Sequence, residues 1–230
     1  MSSSAARPKT VSKPAGTGLF VTGTGTEVGK TMVAAVIARG AANRGLRVAV
    51  FKPAVSGLGE DVVPDHEFIR DAAGSAQADD DVAPYRFDPP VSPHLAAEMD
   101  GTRIDPARLR SAARAAAKAG DYLVCEGVGG LLVPLTLSYL VRDLARDLGL
   151  PIVIAAAPGL GTINHTLLTV EAVRAAGLEV AAVVLTPWPD RPGSIEGSNR
   201  EAIERLGRVR VLTLPRLDLA DPGSWPVLDV

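Results

Sequence analysis

The chain has 230 residues, of which 47% are hydrophobic and only 4% aromatic, and its formal net charge at pH 7 is -2. This length is enough for one domain with a buried core that needs neither disulfides nor a structural metal. The nearly neutral charge gives no basis for binding nucleic acid or an anionic membrane, and the single cysteine, Cys125, excludes a disulfide framework and a multi-cysteine zinc site. No apolar run reaches the roughly 20 residues needed to cross a bilayer, so we expect a cytoplasmic protein.

Residues 1–16 are rich in Ser, Ala, Pro and basic residues and contain no apolar segment. A secretory signal requires such an apolar segment, so this stretch does not match one. We expect residues 1–16 to form a flexible lead-in, with a transit peptide as the alternative. Residues 17–230 are then expected to form one domain.

From residue 19 onward, apolar runs of strand length alternate with segments of helical pattern. The predicted strands are Leu19–Thr22, Arg47–Phe51, Tyr122–Cys125, Ile152–Ala156, Val180–Leu185 and Val209–Leu214. The predicted helices are Lys30–Asn43, Asp65–Ala73, Asp105–Ala119 with Asp105 as N-cap, Ser138–Leu148, Thr162–Ala175 and Ser198–Leu206. Repeated strand–helix units form a mostly parallel sheet with helices on both faces. We therefore predict a doubly wound α/β fold in a single domain.

The segment from Gly23 to Thr31, GTGTEVGKT, follows the first predicted strand and opens the first predicted helix. A Gly-rich turn at this place, followed by Lys and Thr, is typical of a phosphate-binding loop, whose backbone N–H groups surround phosphate oxygens. Lys30 is then expected to reach the β- and γ-phosphates, and the Thr31 hydroxyl to bind Mg²⁺. The spacing is unusual, because five residues rather than four separate Gly23 from the Gly-Lys-Thr triplet. The usual spacing would place Thr24 at the first glycine position.

Other polar or Gly-rich clusters also come directly after predicted strands. Lys52 and Ser56 follow the second strand, Glu126 begins the sequence EGVGG after the third, and Gly159–His165, GLGTINH, follows the fourth. Ligands of doubly wound sheets bind outside the carboxyl ends of the strands. These clusters are therefore expected to meet the phosphate loop at one rim of the sheet.

Three charged residues at this rim are candidates for nucleotide chemistry. Glu126 ends four apolar residues, as the acid that serves nucleotide-bound Mg²⁺ does in P-loop proteins, whereas a helix N-cap or surface acid is the alternative. Lys52 at a strand tip would neutralise phosphate charge, whereas a surface lysine is the alternative. Asp65 lies in the acidic stretch GEDVVPDHE, where Asp61 is a competing candidate.

The histidines and the cysteine give weaker signals. No spacing typical of a metal site links His66, His94 and His165, and the last two are interpreted as polar residues at helix starts. Cys125 lies in a predicted buried strand without an activating partner. An inert core thiol is therefore favoured over a nucleophile.

Taken together, the motifs GTGTEVGKT, KPAVSG (Lys52–Gly57), EGVGG (Glu126–Gly130) and GLGTINH resemble in order and spacing those of the ATP-dependent dethiobiotin synthetases. The resemblance extends from about Leu19 to Leu214. It implies a P-loop fold and a homodimeric, Mg²⁺-dependent ligase of biotin biosynthesis that uses ATP. The implied reaction converts 7,8-diaminononanoate, CO₂ and ATP into dethiobiotin, ADP and phosphate, through a carbamate and a carbamic–phosphoric anhydride.

The resemblance also implies a role for each matching residue. The catalytic residues would be Lys30, Lys52, Thr26 and Ser56. The nucleotide would contact Glu27, Val28, Gly29, Lys30, Thr31, Glu126 and Gly129, and the Mg²⁺ ligands would be Thr31, Asp65 and Glu126. The diamine would contact Ser56 and, across a dimer interface, Gly161, Thr162 and Ile163 of the second subunit. There its carboxylate would accept hydrogen bonds from a helix N-terminus.

The chain departs from the family pattern at two places. Gly25 stands where some members have an acid, so no side-chain contact is assigned there. Thr186–Pro189 stands where some members read the nucleotide base with an Asn, so base selectivity stays open.

Two other functions stay open at this point. One is an ATP-dependent amidase of the cobalamin-synthesis type, which carries an additional glutamine-hydrolysing domain with a nucleophilic cysteine; here Cys125 lies in a predicted strand. The other is a switch ATPase of the ParA/MinD type. Such switches typically have a second lysine early in the phosphate loop, where this chain has Thr24, Gly25 and Thr26.

Overall fold

Residues 17–59 and 63–230 are described by the structure, a computed structural model, and they form ten strands and eight α-helices. The strands are β1 (Gly18–Gly23), β2 (Val48–Phe51), β3 (Val55–Ser56), β4 (Arg86–Phe87), β5 (Tyr122–Gly130), β6 (Pro134–Thr136), β7 (Tyr139–Leu140), β8 (Ile152–Ala156), β9 (Val180–Trp188) and β10 (Val211–Pro215). The helices are α1 (Lys30–Asn43), α2 (Asp65–Ala72), α3 (Asp79–Val82), α4 (Pro93–Met99), α5 (Pro106–Ala119), α6 (Val141–Leu148), α7 (Thr162–Ala175) and α8 (Ser194–Gly207). The expected lead-in, residues 1–16, and the competing candidate Asp61 lie outside the described residues.

The central sheet has six strands in the order β10-β9-β8-β1-β5-β2, and every neighbouring pair is parallel. From β1 the chain adds β2 and β5 on one side, and afterwards adds β8, β9 and β10 on the other side. The direction of winding therefore reverses at β1. In sheets of this kind the crevice beside the reversal point, at the carboxyl ends of the strands, is where ligands bind.

Alternate residues of each strand point to opposite faces of the sheet and build two separate cores. Phe20 and Cys125 belong to the core covered by α4, α5, α6, α7 and α8. Val21 and Val124 belong to the core on the other face, which is covered by α1 and α2. The predicted fold class, a doubly wound α/β domain with helices on both faces, is confirmed. Among the helices of the described residues, none is both long and apolar enough to span a bilayer.

Several predicted elements have the expected bounds. The first helix, the strand Ile152–Ala156 and the helix Thr162–Ala175 begin and end where the pattern places them. Asp105 is confirmed as an N-cap, since its carboxylate accepts a hydrogen bond of 2.8 Å from the N–H of Ala107. Local signals therefore sufficed where capping residues or long apolar runs mark the element.

Several predicted bounds are wrong. The helix predicted over Ser198–Leu206 begins at Ser194, and the strand predicted to end at Leu185 continues to Trp188. The strand expected to stop at Cys125 continues as β5 to Gly130, because the Gly-rich segment still pairs with β1 through Gly23. Glu126 therefore lies inside a strand rather than in a loop. The helix expected from Ser138 begins at Val141, because β7 pairs with β6 in a hairpin.

The free edge of β2 is covered by a side chain instead of another strand. The amide of Gln77 accepts from the N–H of Val50 at 2.7 Å and donates to its carbonyl at 3.1 Å. The N–H of Lys52 in turn donates to the carbonyl of Val82 at 2.8 Å. These hydrogen bonds fix the end of β2, where the side chain of Lys52 leaves the sheet.

The cap of α5 leads to a test of stability. Asp105→Ala should lower the free energy of unfolding by about 1 kcal/mol, because the first turn of the helix loses its side-chain acceptor. Asp105→Asn keeps an acceptor and should cost much less. Urea denaturation measures both, and equal midpoints for Asp105→Ala and the wild type would contradict the assigned role of the cap.

Candidate active site

The loop between β1 and α1 is anchored to the neighbouring strands. The N–H of Thr24 donates to the carbonyl of Ala155 in β8 at 3.0 Å. Gly29, the N-cap of α1, has φ 81°, and a Cβ at this position would lie 2.6 Å from Cγ2 of Thr186 in β9. Only glycine fits both the left-handed backbone and the close approach. The loop is therefore held against the carboxyl ends of β8 and β9.

The backbone of the loop is shaped to bind an anion. Glu27, with φ 58°, and Gly29 both lie in the left-handed region. Residues of this conformation turn successive N–H groups toward a common point. No side chain of the described residues caps the start of α1, so its first N–H groups and the positive end of the helix dipole remain available to a phosphate.

A buried cluster of charges adjoins this loop. The ammonium of Lys52 lies 2.9 Å from Oε1 of Glu126 and 2.8 Å from Oδ2 of Asp65. Lys52 is 2% exposed and Glu126 is fully buried, whereas the side chain of Asp65 is about half exposed. The alternative interpretations, a surface lysine and a surface acid, are both wrong. The end of β2, the middle of β5 and the start of α2 thus meet at one point.

Oxygen atoms suited to Mg²⁺ converge on the same point. The hydroxyl of Thr31 donates to Oε1 of Glu126 at 3.1 Å, and Asp65 reaches the cluster through Lys52. The second oxygen of Glu126, Oε2, is buried and has no hydrogen-bond partner among the described residues. Mg²⁺ is bound in proteins by hard oxygen ligands such as these. The donor set and the unpaired oxygen therefore fit a bound magnesium ion.

The pKa values of the two lysines of the site are shifted in opposite directions. Burial alone would lower the pKa of Lys52, but attraction to Glu126 and Asp65 outweighs it and raises the pKa. Burial lowers the pKa of Lys30, and attraction to Glu126 only partly offsets this effect. The ammonium of Lys30 donates to the carbonyl of Gly25 at 3.0 Å rather than to a carboxylate. A phosphate in the loop would supply the negative charge that Lys30 lacks.

The pKa values of the two acids are also shifted in opposite directions. Burial raises the pKa of Glu126 despite the adjacent Lys52. Burial would raise the pKa of Asp65 as well, but attraction and hydrogen bonding to Lys52 outweigh it and lower the pKa. Opposite pKa shifts in neighbouring groups are typical of functional sites, where burial and nearby charges both perturb the pKa values.

The remaining predicted residues of this region lie around the cluster. Thr26 is exposed and lies beside Gly129, where an added Cβ would be 3.6 Å from its hydroxyl oxygen. Val28 is half-buried and packs against the core under α1. Ser56 is half-buried in β3, paired with Phe87, and no hydrogen bond joins its hydroxyl to another described residue.

The start of α7 lies on the same rim. Gly161 is exposed, has φ 90° and precedes the helix, and no side chain of the described residues caps this end. Thr162 is buried and Ile163 half-buried. A cavity of about 280 Å³ separates the phosphate loop from this helix start, with a lining that includes Thr26 and Thr162. Within one chain, α7 therefore borders the phosphate loop.

Sequence reasoning missed one residue that holds this rim together. The side-chain amide of Asn199 in α8 donates to the carbonyls of Pro158 and Gly159 at 2.9 and 3.1 Å, which anchors the loop before α7. Asn199 occupies an ordinary position in a helical pattern, so no local signal identifies it. The sequence did point to Thr186, which contacts Gly29, because Thr186 directly follows a predicted strand.

Comparison with known proteins agrees with the fold. A family model described as AAA domain matches residues 17–223. The solved structure of chloroplast FtsY from Physcomitrella patens superposes with a TM-score of 0.52 at 15% identity, and the match covers 95% of this chain and 64% of that chain. At this low identity the likeness shows the fold alone.

Curated relatives are more informative. The "ATP-dependent dethiobiotin synthetase BioD" of Anaeromyxobacter dehalogenans (strain 2CP-C) is 47% identical over 168 residues, which are 73% of this chain and 75% of that protein. The protein of the same name from Anaeromyxobacter sp. (strain K) is 46% identical over 86% of this chain and 89% of its own length. That of Bacillus subtilis (strain 168) is 36% identical over 85% of each chain. With relatives of this identity and coverage, the chain belongs to the dethiobiotin synthetase family.

Proposed function

We propose that this protein closes the cyclic urea of dethiobiotin from 7,8-diaminononanoate, CO₂ and ATP, and releases ADP and phosphate. The observation that supports this most directly is the buried Lys52–Glu126 pair beside an anion-binding loop, in a chain that belongs to the dethiobiotin synthetase family. The enzyme is an ATP-dependent ligase that forms carbon–nitrogen bonds. Its lone cysteine, buried and unpaired with another cysteine, suits a reducing cytoplasm.

The chemistry requires an activated carbamate. One amine of the substrate adds to CO₂ and loses a proton, and a carbamate oxygen attacks the γ-phosphorus of ATP to form a mixed anhydride and ADP. The neighbouring amine then attacks the carbamate carbon and loses a proton, the bond from carbon to the phosphate-bearing oxygen breaks, and phosphate leaves. No covalent bond to the protein is needed, so positioning and charge neutralisation are the contributions expected of the side chains.

We propose that particular groups make these contributions. Lys30 and Lys52 would neutralise the carbamate and the γ-phosphate, while the N–H groups of Glu27–Thr31 surround the phosphates. Thr26 and Ser56 would donate to the carbamate or the phosphates, and the nucleotide would contact the backbone of Gly129, which lies beside Thr26. Lys52 is already oriented by two carboxylates, so it needs little rearrangement when the substrate binds.

Mg²⁺ would be held by Thr31, Asp65 and Glu126. When bound, the ion supplies positive charge to the phosphate oxygens during phosphoryl transfer. Oε2 of Glu126, which is buried without a partner among the described residues, would then be paired.

The carboxylate tail of the diamine is proposed to bind the start of α7 in a second copy of the chain. Gly161 is exposed and no side chain of the described residues caps α7, so the N–H groups of Gly161 and Ile163 are proposed to donate to the carboxylate. The N–H of Thr162 donates to the carbonyl of Gly159 at 3.2 Å, and would have to exchange this partner for the carboxylate. Leu160, next to this helix start, is 96% exposed, which favours its burial in a homodimer.

The first test measures the products. Purified protein supplied with 7,8-diaminononanoate, bicarbonate and Mg·ATP should release phosphate and dethiobiotin in equal amounts, because each ring closure consumes one anhydride. Omission of the diamine should stop phosphate release. Phosphate release that is unchanged without the diamine would indicate a switch ATPase, and release that requires glutamine would indicate an amidase.

The second test separates catalysis by Lys52 from its role in stability. Lys52→Met leaves Glu126 buried without its cation, which should cost about 3 kcal/mol of unfolding free energy. The double variant Lys52→Met/Glu126→Gln removes the unpaired charge and should recover most of that loss in urea denaturation. At a temperature at which Lys52→Met remains folded, phosphate release should fall at least about 100-fold.

A matched surface pair provides the control. Arg47 and Asp121 form an ion pair whose side chains are 72% and 42% exposed. Arg47→Met should therefore leave the urea midpoint close to that of the wild type and leave activity intact. A folded Lys52→Met with wild-type activity would refute the proposed role of Lys52.

The third test addresses the shared site. Gly161→Asp tolerates the left-handed backbone and caps α7, but its charge repels a carboxylate, so the KM for the diamine should rise at least about 10-fold. Gly161→Asn caps the helix without charge and serves as the control. Lys30→Met should be inactive on its own.

Mixing the two defective proteins distinguishes a shared site from a site within one chain. In a mixed dimer of Gly161→Asp and Lys30→Met, one site has both defects and the other has none. Random exchange should therefore restore about one quarter of the wild-type rate at low diamine concentration. No recovery, although native mass spectrometry shows mixed dimers, would contradict donation across the interface.

A further inference from the structure

His66, the second residue of α2, is a buried group that the proposed reaction does not use. It is 1% exposed, and neither Nδ1 nor Nε2 has a hydrogen-bond partner among residues 17–59 and 63–230. A buried polar group without a hydrogen-bond partner destabilises the folded state, so such groups are rare in folded proteins. The imidazole is therefore available to a ligand.

Two carboxylates face this imidazole. Oε1 of Glu67 lies 4.0 Å from Nε2 of His66, and the ligand atoms of His66, Glu67 and Asp79 all lie within 4.8 Å of one another. The imidazole is buried, whereas both carboxylates are partly exposed. A cation can therefore reach the imidazole between the two acidic side chains.

The separations suit an ion better than direct hydrogen bonds. A hydrogen bond requires about 3.2 Å or less between its heavy atoms, which the 4.0 Å separation exceeds. Zinc binds nitrogen and oxygen at about 2.0–2.2 Å, so its ligand atoms lie roughly 3.4 Å apart in a tetrahedron. Shifts of about 1 Å in the partly exposed carboxylates would complete this geometry.

The surrounding charges support a cation. Arg70 donates to Oδ1 of Asp79, which orients that carboxylate as outer partners of metal ligands do. Arg86, the other nearby guanidinium, pairs with Asp80. The imidazole of His66, the carboxylate of Glu67 and the second oxygen of Asp79 remain for the ion among the described residues.

We propose that His66, Glu67 and Asp79 form a site for a divalent transition-metal ion of the Zn²⁺ type, with water as the fourth ligand. One nitrogen and two oxygen donors select such an ion over Mg²⁺, which prefers oxygen ligands alone. The site joins the first turn of α2 to the first residue of α3. It is distinct from the magnesium site, and it does not depend on the proposed reaction.

The test uses the full-length protein, freed of metal and then saturated with Mg·ADP so that the nucleotide site is filled. Titration with Co²⁺, a spectroscopic substitute for zinc, should reach one equivalent with the intense visible absorption of tetrahedral cobalt, and Zn²⁺ should displace it. Glu67→Gln and Asp79→Asn should each weaken Zn²⁺ binding at least about 10-fold. Both residues are partly exposed, so these variants are expected to fold.

Glu204→Gln, an exposed acid on α8, is the matched control and should bind Zn²⁺ like the wild type. His66→Phe removes the nitrogen ligand while filling the space, and it should abolish the cobalt spectrum. The proposal is overturned if the wild type shows no tetrahedral Co²⁺ spectrum under Mg·ADP. It is equally overturned if Glu67→Gln and Asp79→Asn bind Zn²⁺ as tightly as Glu204→Gln.

Discussion

The buried ion pair between Lys52 and Glu126 is the interaction on which the candidate active site depends. Removing two charges from water costs several kcal/mol per ion, so the pair persists only if the backbone holds both partners in good geometry. The sheet provides that geometry: Phe51 pairs with Cys125 in the register of β2 and β5, and the next residues of the two strands are Lys52 and Glu126. Because β5 lies between β2 and β1, the same carboxylate also reaches Thr31 at the start of α1.

The second lysine completes an asymmetric arrangement of charge. Lys52 is neutralised by protein carboxylates, whereas Lys30 is buried against a backbone carbonyl. Near Lys30, the uncapped N–H groups of α1 and the left-handed turns of the loop contribute further positive potential. A site of this kind is preorganised for an anion, because its dipoles and charge are fixed by the fold before the ligand arrives. The cost of holding Lys30 in this state is offset when phosphate binds.

The sequence predicted those features that local signals determine. Apolar runs and capping residues located most strands and helices, and the rule that ligands bind at strand ends brought Lys52, Glu126 and the phosphate loop together in advance. Features set by partners distant in sequence were not predictable. The continuation of β5 past Glu126 depends on pairing with β1, the protection of Val50 depends on Gln77, and the anchoring of the α7 start depends on Asn199. None of these has a spacing or composition that marks it.

The first turn of α2 carries both Asp65, which belongs to the Lys52–Glu126 cluster, and His66, which belongs to the proposed metal site. Consecutive residues of an α-helix point about 100° apart, so Asp65 faces Lys52 while His66 turns into the interior. The carboxylates of Glu67 and Asp79 lie within 4.8 Å of the imidazole. Asp65 is the partly exposed member of the charge cluster, and its position depends on how firmly this turn is held. An ion that joins α2 to α3 would restrict that turn without touching a substrate. If the His66 site binds an ion, its occupancy would therefore be linked to the stability of the Lys52 environment through the backbone of two adjacent residues.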